Sequence, residues 1–401
     1  MKLLIINELY KYGGAEMQTQ REAKICRKNG HMVRIITLDP AFKDGWIKKD
    51  HYNIVQKESK LTIQLQRFFY NYQITKRLRD LIEEFEPDYI HINNAYEHAL
   101  SIFRAVRGYK TLQTIRDYGA VCPNGLCIHP NKIVCNGYQN GKQCLKECIL
   151  CDARKVRAFW QWLCFKKRDA ARKKYVKLFA CPSQMLTDYC IRQGLPTKCI
   201  NNPFDFSLLD EMNIQKQTNF EKKTFLYYGQ IIEHKGIWQM IQAFSTFSEG
   251  KDDIELCLLG RIPVEYKPVL KQLIKDYGHG KVHYLGVMSY KDTIKQLSTV
   301  YAVVIPSLWI ENYPNTALEA ASIGCLVLAS ERGGMKEIVG DGCFVFHVLR
   351  QEEIVKQFEA AYETTKEQYV RITKRSSARV RKNNTMEQYY ERLMKTLEQI
   401  K

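Results

Sequence analysis

Two glutamates, Glu311 and Glu319, are separated by seven residues in the segment IENYPNTALEAA. Carboxylates accept hydrogen bonds from the hydroxyl groups of sugars and riboses. Pro314 lies between them where a helix can begin, because the first helical turn does not use the N–H that proline lacks. The free N–H groups of such a turn favour anions. The arrangement therefore suits a ligand in which a diphosphate joins two hydroxyl-rich rings, as in a nucleotide-sugar.

The glutamate pair alone is a weak signal, because two glutamates at this spacing are common in helical proteins. Two further segments supply phosphate chemistry. Lys235, in YYGQIIEHKGI, can offset the charge of a leaving diphosphate, although a solvated surface lysine is the alternative. Gly13 and Gly14, in LYKYGGAEMQ, allow close approach of the backbone to a phosphate at a helix start, although a simple turn is the alternative.

Other polar residues also follow strand-like segments. His91 is predicted to end the strand DYIHI, where it could hydrogen-bond a substrate, although core and surface histidines are commoner. Arg116 and Asp117 follow KTLQTI, and the segment ERGGMKEIVGDG adds Gly333, Gly334 and Glu337. Each signal is weak by itself, but all share a position after a strand, where α/β folds bind their ligands.

The elements that would position these residues alternate between strand and helix in two sets. The first set includes KLLII, a helix from Ala15 to Lys28, MVRIITL, a long amphipathic region from Ile63 to Phe85, and DYIHI. The second begins with TFLYYG after a pause at INNPFDF. Such alternation predicts parallel sheets with helices on both faces. We expect two doubly wound Rossmann-like domains that face a central cleft, with C-terminal helices packing back across them. The predicted bounds are 1–200, a linker at 201–206, 207–380, and a C-terminal helix at 381–401.

The chain has 401 residues, 45% hydrophobic and 26% charged, and a net charge of +18. This length suits two domains. No apolar run is long enough for a membrane span, and the N-terminal segment is too short for a signal peptide, so we expect a cytoplasmic protein. Although a basic surface attracts anions, no nucleic-acid motif accompanies the charge, and we expect no nucleic-acid partner.

The most basic region, a predicted helix at 153–179, interleaves aromatic residues with lysines and arginines. Such a helix can lie on an anionic membrane, and Lys166, Lys167 and Arg168 are the charges expected to do so. The alternative is a core helix with one solvated basic face. A cysteine-rich insertion at 122–151 precedes it. Four of its cysteines have spacing compatible with a structural zinc site, with a loop of reduced thiols as the alternative: Cys135, Cys144, Cys148 and Cys151.

The segments GGAE, GQIIEHKG, PSLWIENYPNTALEAASIG and SERGGMKEIVGDG together resemble the retaining glycosyltransferases of family 4, which have the GT-B fold. Their order and spacing match over nearly the whole chain. The resemblance implies that Glu311 contacts the donor sugar, that Glu319 binds the donor ribose, and that Lys235 binds the diphosphate. It also implies a donor site that needs no metal or other cofactor, built from Gly13, Gly14, Gly229, Gln230, Lys235, Asn312, Tyr313, Pro314, Asn315, Thr316 and Glu319.

Two residues depart from the family pattern. Gln230 stands where an arginine is usual, which removes a cation from the diphosphate site. Arg116 stands where many members have a histidine that touches the donor sugar, and it could compensate. Arg116 and His91 are thus candidate catalytic residues beside Glu311 and Lys235, and Asp117 and Tyr118 are expected on the acceptor side.

The resemblance implies retaining transfer of a sugar from a nucleoside-diphosphate donor. The expected acceptor is a hydroxyl of a lipid-linked glycan at the inner membrane face, in capsule, O-antigen or exopolysaccharide synthesis. A catalytically silent nucleotide-sugar-binding protein and a nucleotide-sugar epimerase of the same fold are the alternatives. The sequence does not specify the donor base, the sugar or the linkage.

Overall fold

The computed structural model describes residues 1–9, 14–54, 58–129, 134–135, 144–149 and 155–401. The chain divides into two compact units. The N-terminal unit comprises Met1–Pro203 together with Met386–Lys401, and the C-terminal unit comprises Phe204–Thr385. Gly13 and Cys151 lie outside the described residues.

The N-terminal unit is built on a sheet with the order β3-β4-β2-β1-β5-β6-β7-β8, parallel except for the β3–β4 pair. The aliphatic strand β1 is central and is buried by helices on both faces, as its apolar sequence predicts. The strands are β1 (Lys2–Asn7), β2 (Met32–Thr37), β3 (Gly45–Lys48), β4 (His51–Asn53), β5 (Tyr89–Asn94), β6 (Thr111–Thr114), β7 (Leu178–Cys181) and β8 (Thr197–Cys199).

Among the described residues, six helices of this unit precede the boundary: α1 (Gly14–Lys28), α2 (Lys60–Gln66), α3 (Tyr72–Phe85), α4 (Ala99–Ala105), α5 (Lys155–Tyr175) and α6 (Gln184–Arg192). The amphipathic region that the sequence predicts from Ile63 to Phe85 is therefore two helices. The break occurs because the Asn71 side chain accepts from the backbone N–H groups of Gln73 and Ile74, which starts a new helix.

The C-terminal unit contains a second sheet, with the order β11-β10-β9-β12-β13-β14 and parallel pairing throughout. Hydrophobic clusters fill the space between the sheet and its helices. The strands are β9 (Lys223–Tyr228), β10 (Ile254–Leu259), β11 (Val282–Gly286), β12 (Ala302–Ile305), β13 (Leu326–Ser330) and β14 (Cys343–Phe346). The helices are α7 (Ser207–Glu211), α8 (Ile237–Phe247), α9 (Lys267–Tyr277), α10 (Tyr290–Thr299), α11 (Asn315–Ile323), α12 (Met335–Val339), α13 (Gln351–Tyr362) and α14 (Lys366–Asn383). The prediction of two Rossmann-like α/β domains is confirmed.

The last helix, α15 (Met386–Leu397), belongs to the N-terminal unit. It starts five residues later than the sequence suggests, because α14 continues to Asn383 and the chain breaks at Asn384. Tyr389 and Leu393 of α15 are buried with Ile25 of α1 in the core of that unit. Within the part of the chain that is described, no helix is both long and apolar enough to cross a bilayer.

Candidate active site

Strands β9 and β12 are neighbours in the C-terminal sheet, and the strand order runs outward from them in opposite directions. In doubly wound folds, ligands bind at such a switch point, outside the carboxyl ends of the strands. The loop after β9 carries Lys235, and the loop after β12 carries Glu311. Gly236 brings the loops together, since a Cβ there would lie 1.8 Å from the carbonyl oxygen of Pro306 and its φ is +71°.

The Lys235 ammonium and the Glu311 carboxylate form an ion pair, with Nζ 2.6 Å from Oε1. The same oxygen accepts from Ser307 Oγ at 2.5 Å and from the Trp309 indole N–H at 2.6 Å. Lys235 Nζ also lies 4.3 Å from the centre of the Trp309 ring, within cation–π range. The Glu311 side chain is only 11% exposed, so its orientation is fixed by these contacts.

Burial alone would raise the pKa of Glu311, but the Lys235 charge and the three hydrogen bonds outweigh it and lower the pKa below the ordinary value. The carboxylate is therefore ionised at neutral pH. The segment ERGG holds its backbone in place. Gly334 N–H donates to the Glu311 carbonyl at 2.8 Å. A Cβ on Gly333 would lie 1.9 Å from that carbonyl oxygen, which requires glycine there.

Glu319 lies in the second turn of α11 and is buried. Tyr290 donates to its Oε1 at 3.0 Å, and Tyr228 donates to its Oε2 at 3.0 Å. Burial first, and then the Glu319 charge, raises the pKa of Tyr228. The sequence alone did not identify the two tyrosines, because they come from β9 and α10, far from Glu319 along the chain.

The start of α11 follows the predicted pattern. Pro314 is the N-cap residue, with a φ of −68°, and its side chain cannot cap the helix, so backbone N–H groups of the first turn face this end. Asn315 and Thr316 are half-buried, whereas Asn312 and Tyr313 are buried. The Tyr313 hydroxyl accepts from Asn384 at 2.8 Å, so this side chain is part of the core contact between α11 and α14.

The remaining donor-site candidates are glycines and Gln230. Gly229 follows β9 with a φ of +142°, and a Cβ on Gly260 would lie 1.8 Å from its carbonyl oxygen. Gln230 is exposed, and its carbonyl accepts from the Tyr227 hydroxyl at 2.5 Å. Gly14 is the first residue of α1 in the N-terminal unit, and Gly13 lies outside the described residues.

In the N-terminal unit, Arg116 follows β6. Its guanidinium donates to Asn202 Oδ1 at 2.7 Å and to Asn93 Oδ1. Asp117 caps a short 3₁₀ turn at Tyr118–Ala120, where its side chain accepts from Gly119 N–H. Tyr118 is buried. These residues lie at the carboxyl end of the sheet, as the sequence predicts.

The predicted position of His91 at a strand end is wrong. β5 continues to Asn94, and the His91 side chain has no exposed surface. Its Nδ1 lies 2.5 Å from Glu22 Oε1 and its Nε2 lies 2.7 Å from Thr114 Oγ1. Glu22 also accepts from the Tyr389 hydroxyl at 2.6 Å. His91 is thus part of a buried network that joins α1, β5, β6 and α15, and in this arrangement it cannot contact a substrate.

The basic helix α5 has one buried face. Arg168 is only 6% exposed, so the expectation that it faces a membrane is wrong. Lys166 and Lys167 are exposed, and Lys167 Nζ lies 4.0 Å from the centre of the Phe68 ring.

For the cysteine-rich insertion, the structure describes Cys135, Cys144 and Cys148, while Cys151 lies outside the described residues. Cys148 Sγ lies 3.3 Å from His129 Nδ1. Among the described residues, no three His, Cys, Asp or Glu side chains are arranged to hold a metal ion.

Comparison with known families covers nearly the whole chain. Residues 12–208 match the family described as Glycosyltransferase Family 4, and residues 210–379 match Glycosyl transferases group 1. The chain is a glycosyltransferase of the GT-B type. The two matched regions meet near residue 209, close to the division between the structural units.

Several relatives resemble this glycosyltransferase. An uncharacterized 42.6 kDa protein in the cps region of Klebsiella pneumoniae is 24% identical over 358 residues, which cover 84% of this chain and 87% of that protein. The lipopolysaccharide 1,2-N-acetylglucosaminetransferase of Salmonella typhimurium is 28% identical over 149 residues, 34% of this chain and 38% of that enzyme. The crystal structure of Anabaena Alr3699/HepE in complex with UDP-glucose superposes with a TM-score of 0.71 at 17% identity and covers 99% of both chains.

Proposed function

We propose that this glycosyltransferase transfers a sugar from a nucleoside-diphosphate donor to an acceptor hydroxyl with retention of anomeric configuration. The observation that carries the proposal is the Lys235–Glu311 pair, with a separation of 2.6 Å between Nζ and Oε1, at the switch point of the C-terminal sheet. A cation beside a buried carboxylate offers one group for a diphosphate and one for sugar hydroxyls.

In the proposed reaction, the bond between the anomeric carbon and the diphosphate oxygen breaks, and its electron pair leaves with the diphosphate. Lys235 and the N-terminus of α11 offset the charge that develops there. The acceptor oxygen forms the new bond on the face from which the diphosphate departs, and its proton passes to a diphosphate oxygen. We assign Glu311 to donor binding and not to covalent attack, with its Oε1 held by Lys235, Ser307 and Trp309.

We propose uridine diphosphate as the nucleotide of the donor. This choice is supported by the structural neighbour HepE, which was crystallised with UDP and with UDP-glucose. Within α11, Glu319 is held by two tyrosines, and we assign it to the ribose of such a donor. Glu319 would accept from the ribose hydroxyls, since each carboxylate oxygen has a second lone pair beyond the one that a tyrosine uses.

The proposed acceptor is a lipid-linked glycan in the synthesis of a surface polysaccharide. The relatives from the cps region of Klebsiella pneumoniae and from Salmonella lipopolysaccharide synthesis support this class.

We further propose that the N-terminal unit contacts an anionic membrane through a surface made of two segments, 61–72 and 156–167, here called the aromatic surface. Exposed apolar side chains line it, including Leu61, Phe69, Tyr72, Val156 and Phe159. Phe68 and Trp160 join the segments, with ring centres 5.2 Å apart. Exposed aromatic groups beside lysines match the interface between lipid headgroups and acyl chains.

The proposed function is tested by incubating the purified chain with UDP-sugars, with and without a lipid-linked acceptor. NMR follows the conversion of the donor and the anomeric configuration of any product. Formation of a glycoside with the donor's anomeric configuration supports the proposal. Conversion of the donor to an epimer without acceptor identifies an epimerase, and binding without any turnover identifies a silent binding protein. An inverted product contradicts the retaining mechanism.

A further inference from the structure

The N-terminal unit contains a polar pocket, partly open to solvent, at the carboxyl ends of β5 and β6. Its wall includes Gln113 and Thr114 of β6, Arg116 and Asp117 just beyond that strand, and Arg168 and Arg172 of α5. No donor-site residue described above lines it, whereas the candidate catalytic residue Arg116 and the acceptor-side candidate Asp117 do.

Two arginines of α5 define one side of this cavity. Arg168 and Arg172 are one helical turn apart, and they are only 6% and 3% exposed. Arg168 donates to the carbonyl of Gly119 at 3.1 Å, and Arg172 donates to the carbonyl of Ala120 at 3.5 Å and to the Gln113 side chain at 3.2 Å. Both guanidinium groups are therefore fixed against the turn that follows Arg116 and Asp117.

The hydrogen-bonding capacity of Arg168 is not fully used. Its buried Nε has no hydrogen-bond partner, and the side chain has no ion pair with a carboxylate, within the part of the chain that is described. Its guanidinium lies 4.6 Å from the centre of the Tyr96 ring, which holds its plane in one orientation. A buried charge without an anionic partner is costly, and a bound anion would relieve that cost.

Most of the charged residues that line the cavity are positive. Arg116, Arg168 and Arg172 contribute three positive charges and Asp117 one negative charge, which leaves +2. Arg116 donates to two asparagine oxygens and also interacts electrostatically with Glu16 and Glu22, and Arg172 forms an ion pair with Asp169 at 3.9 Å. Burial, and then the charge of Arg168, lowers the pKa of Arg172 to about 10, which still leaves it protonated at neutral pH.

We propose that this cavity binds a phosphate or diphosphate group of the acceptor, with Arg168 and Arg172 as its ligands. Planar guanidinium groups pair with phosphate oxygens through two N–H donors, and the excess of arginines over carboxylates along the wall favours an anionic ligand. The inference rests on the proposed function in one respect: the bound group belongs to the acceptor because it lies in the unit that lacks the Lys235–Glu311 pair.

The test is isothermal titration calorimetry of inorganic pyrophosphate with the full chain in a Lys235→Met background, which weakens diphosphate binding at the donor site. Adding Arg168→Gln should weaken pyrophosphate binding at least tenfold, while Arg168→Lys should weaken it less because the charge remains. The matched control is Lys174→Gln on the exposed side of the same helix, which should change the affinity less than twofold. Thermal melts of each variant report whether the fold is intact.

Equal affinity of the Lys235→Met and Lys235→Met/Arg168→Gln proteins would overturn the inference. Loss of all pyrophosphate binding in Lys235→Met alone would also overturn it, while leaving the proposed function intact. If the wild-type chain fails to bind UDP-sugars but keeps Arg168-dependent pyrophosphate binding, the proposed function fails and the anion site stands.

Geranyl diphosphate identifies the source of the phosphate: tighter binding than pyrophosphate indicates a lipid diphosphate, and equal binding indicates a soluble phosphate.

Discussion

Lys235 and Glu311 lie 76 positions apart in the chain, and their side chains meet with Nζ 2.6 Å from Oε1. The two strands that precede them, β9 and β12, are adjacent in the sheet. This contact places the cation proposed for the diphosphate directly against the carboxylate proposed for the sugar. A donor bound at this site would therefore contact Lys235 through its diphosphate and Glu311 through its sugar.

Glu311→Gln keeps the size of the side chain and removes its charge. We expect kcat to fall about 100-fold, equivalent to about 2.7 kcal/mol, with a smaller change in the affinity for UDP. The reason is that Lys235 loses its counter-charge and the sugar loses a charged acceptor. Steady-state kinetics and calorimetry measure the two effects. Glu233→Gln, an exposed residue two positions before Lys235, is the control, and an unchanged kcat in Glu311→Gln would count against the assignment.

Tyr290→Phe removes the hydroxyl that donates to Glu319 Oε1 at 3.0 Å. We expect UDP affinity to fall at least about tenfold, since one hydrogen bond to a charged group contributes roughly 1.5 kcal/mol. The change in kcat should be small, because Glu319 is proposed to bind the ribose. Tyr277→Phe, at the end of α9, is the control. A fall in kcat with unchanged UDP affinity would assign Glu319 to the chemical step instead.

Gly236→Ala tests how closely the two site loops approach. Its Cβ would lie 1.8 Å from the Pro306 carbonyl oxygen, at a φ of +71°. Gly250→Ala is a matched control, because its φ is +69° and no atom lies within 4 Å of the added carbon. The control should cost about 1 kcal/mol of unfolding free energy through φ alone. Denaturant unfolding should show a larger loss for Gly236→Ala; equal losses would mean that the loops separate easily.

Charge reversal on the aromatic surface should weaken membrane binding. Lys166→Glu with Lys167→Glu should reduce association with vesicles containing anionic lipid at least tenfold, since each basic residue near such a surface contributes about 1 kcal/mol. Lys271→Glu with Lys275→Glu on α9, both exposed, makes the same charge change elsewhere. Co-sedimentation measures both variants. If the two double variants lose binding equally, the attraction is due to net charge and not to this surface.

The sequence was sufficient to predict those strands and helices whose formation depends on local residue pattern. The second set of strands and helices, including Pro314 at the start of α11, follows from hydrophobic runs and helix-start signals. The break at 67–71 was missed, because the amphipathic pattern continues across it and obscures the side-chain cap of Asn71 that starts α3.

Tertiary contacts determine the positions of the residues that the sequence misplaced or missed. A histidine near a strand end is typical of a site residue, yet β5 extends past His91. Its buried ring contacts Glu22 instead. Arg168 looks like one charge among many in α5, but the helix turns it toward Gly119. Tyr228 and Tyr290 carry no sequence signal for Glu319, because only the packing of β9 and α10 against α11 brings the three side chains together.

The central claim is that Lys235 stabilises the departing diphosphate of a nucleotide-sugar. The most direct measurement is UDP release from a UDP-sugar that the wild-type chain turns over, compared at saturating donor between wild type and Lys235→Met. We predict that Lys235→Met lowers kcat at least 100-fold, because the charge that forms in the transition state loses its nearest cation. A Lys235→Met protein that releases UDP at the wild-type rate would contradict the account.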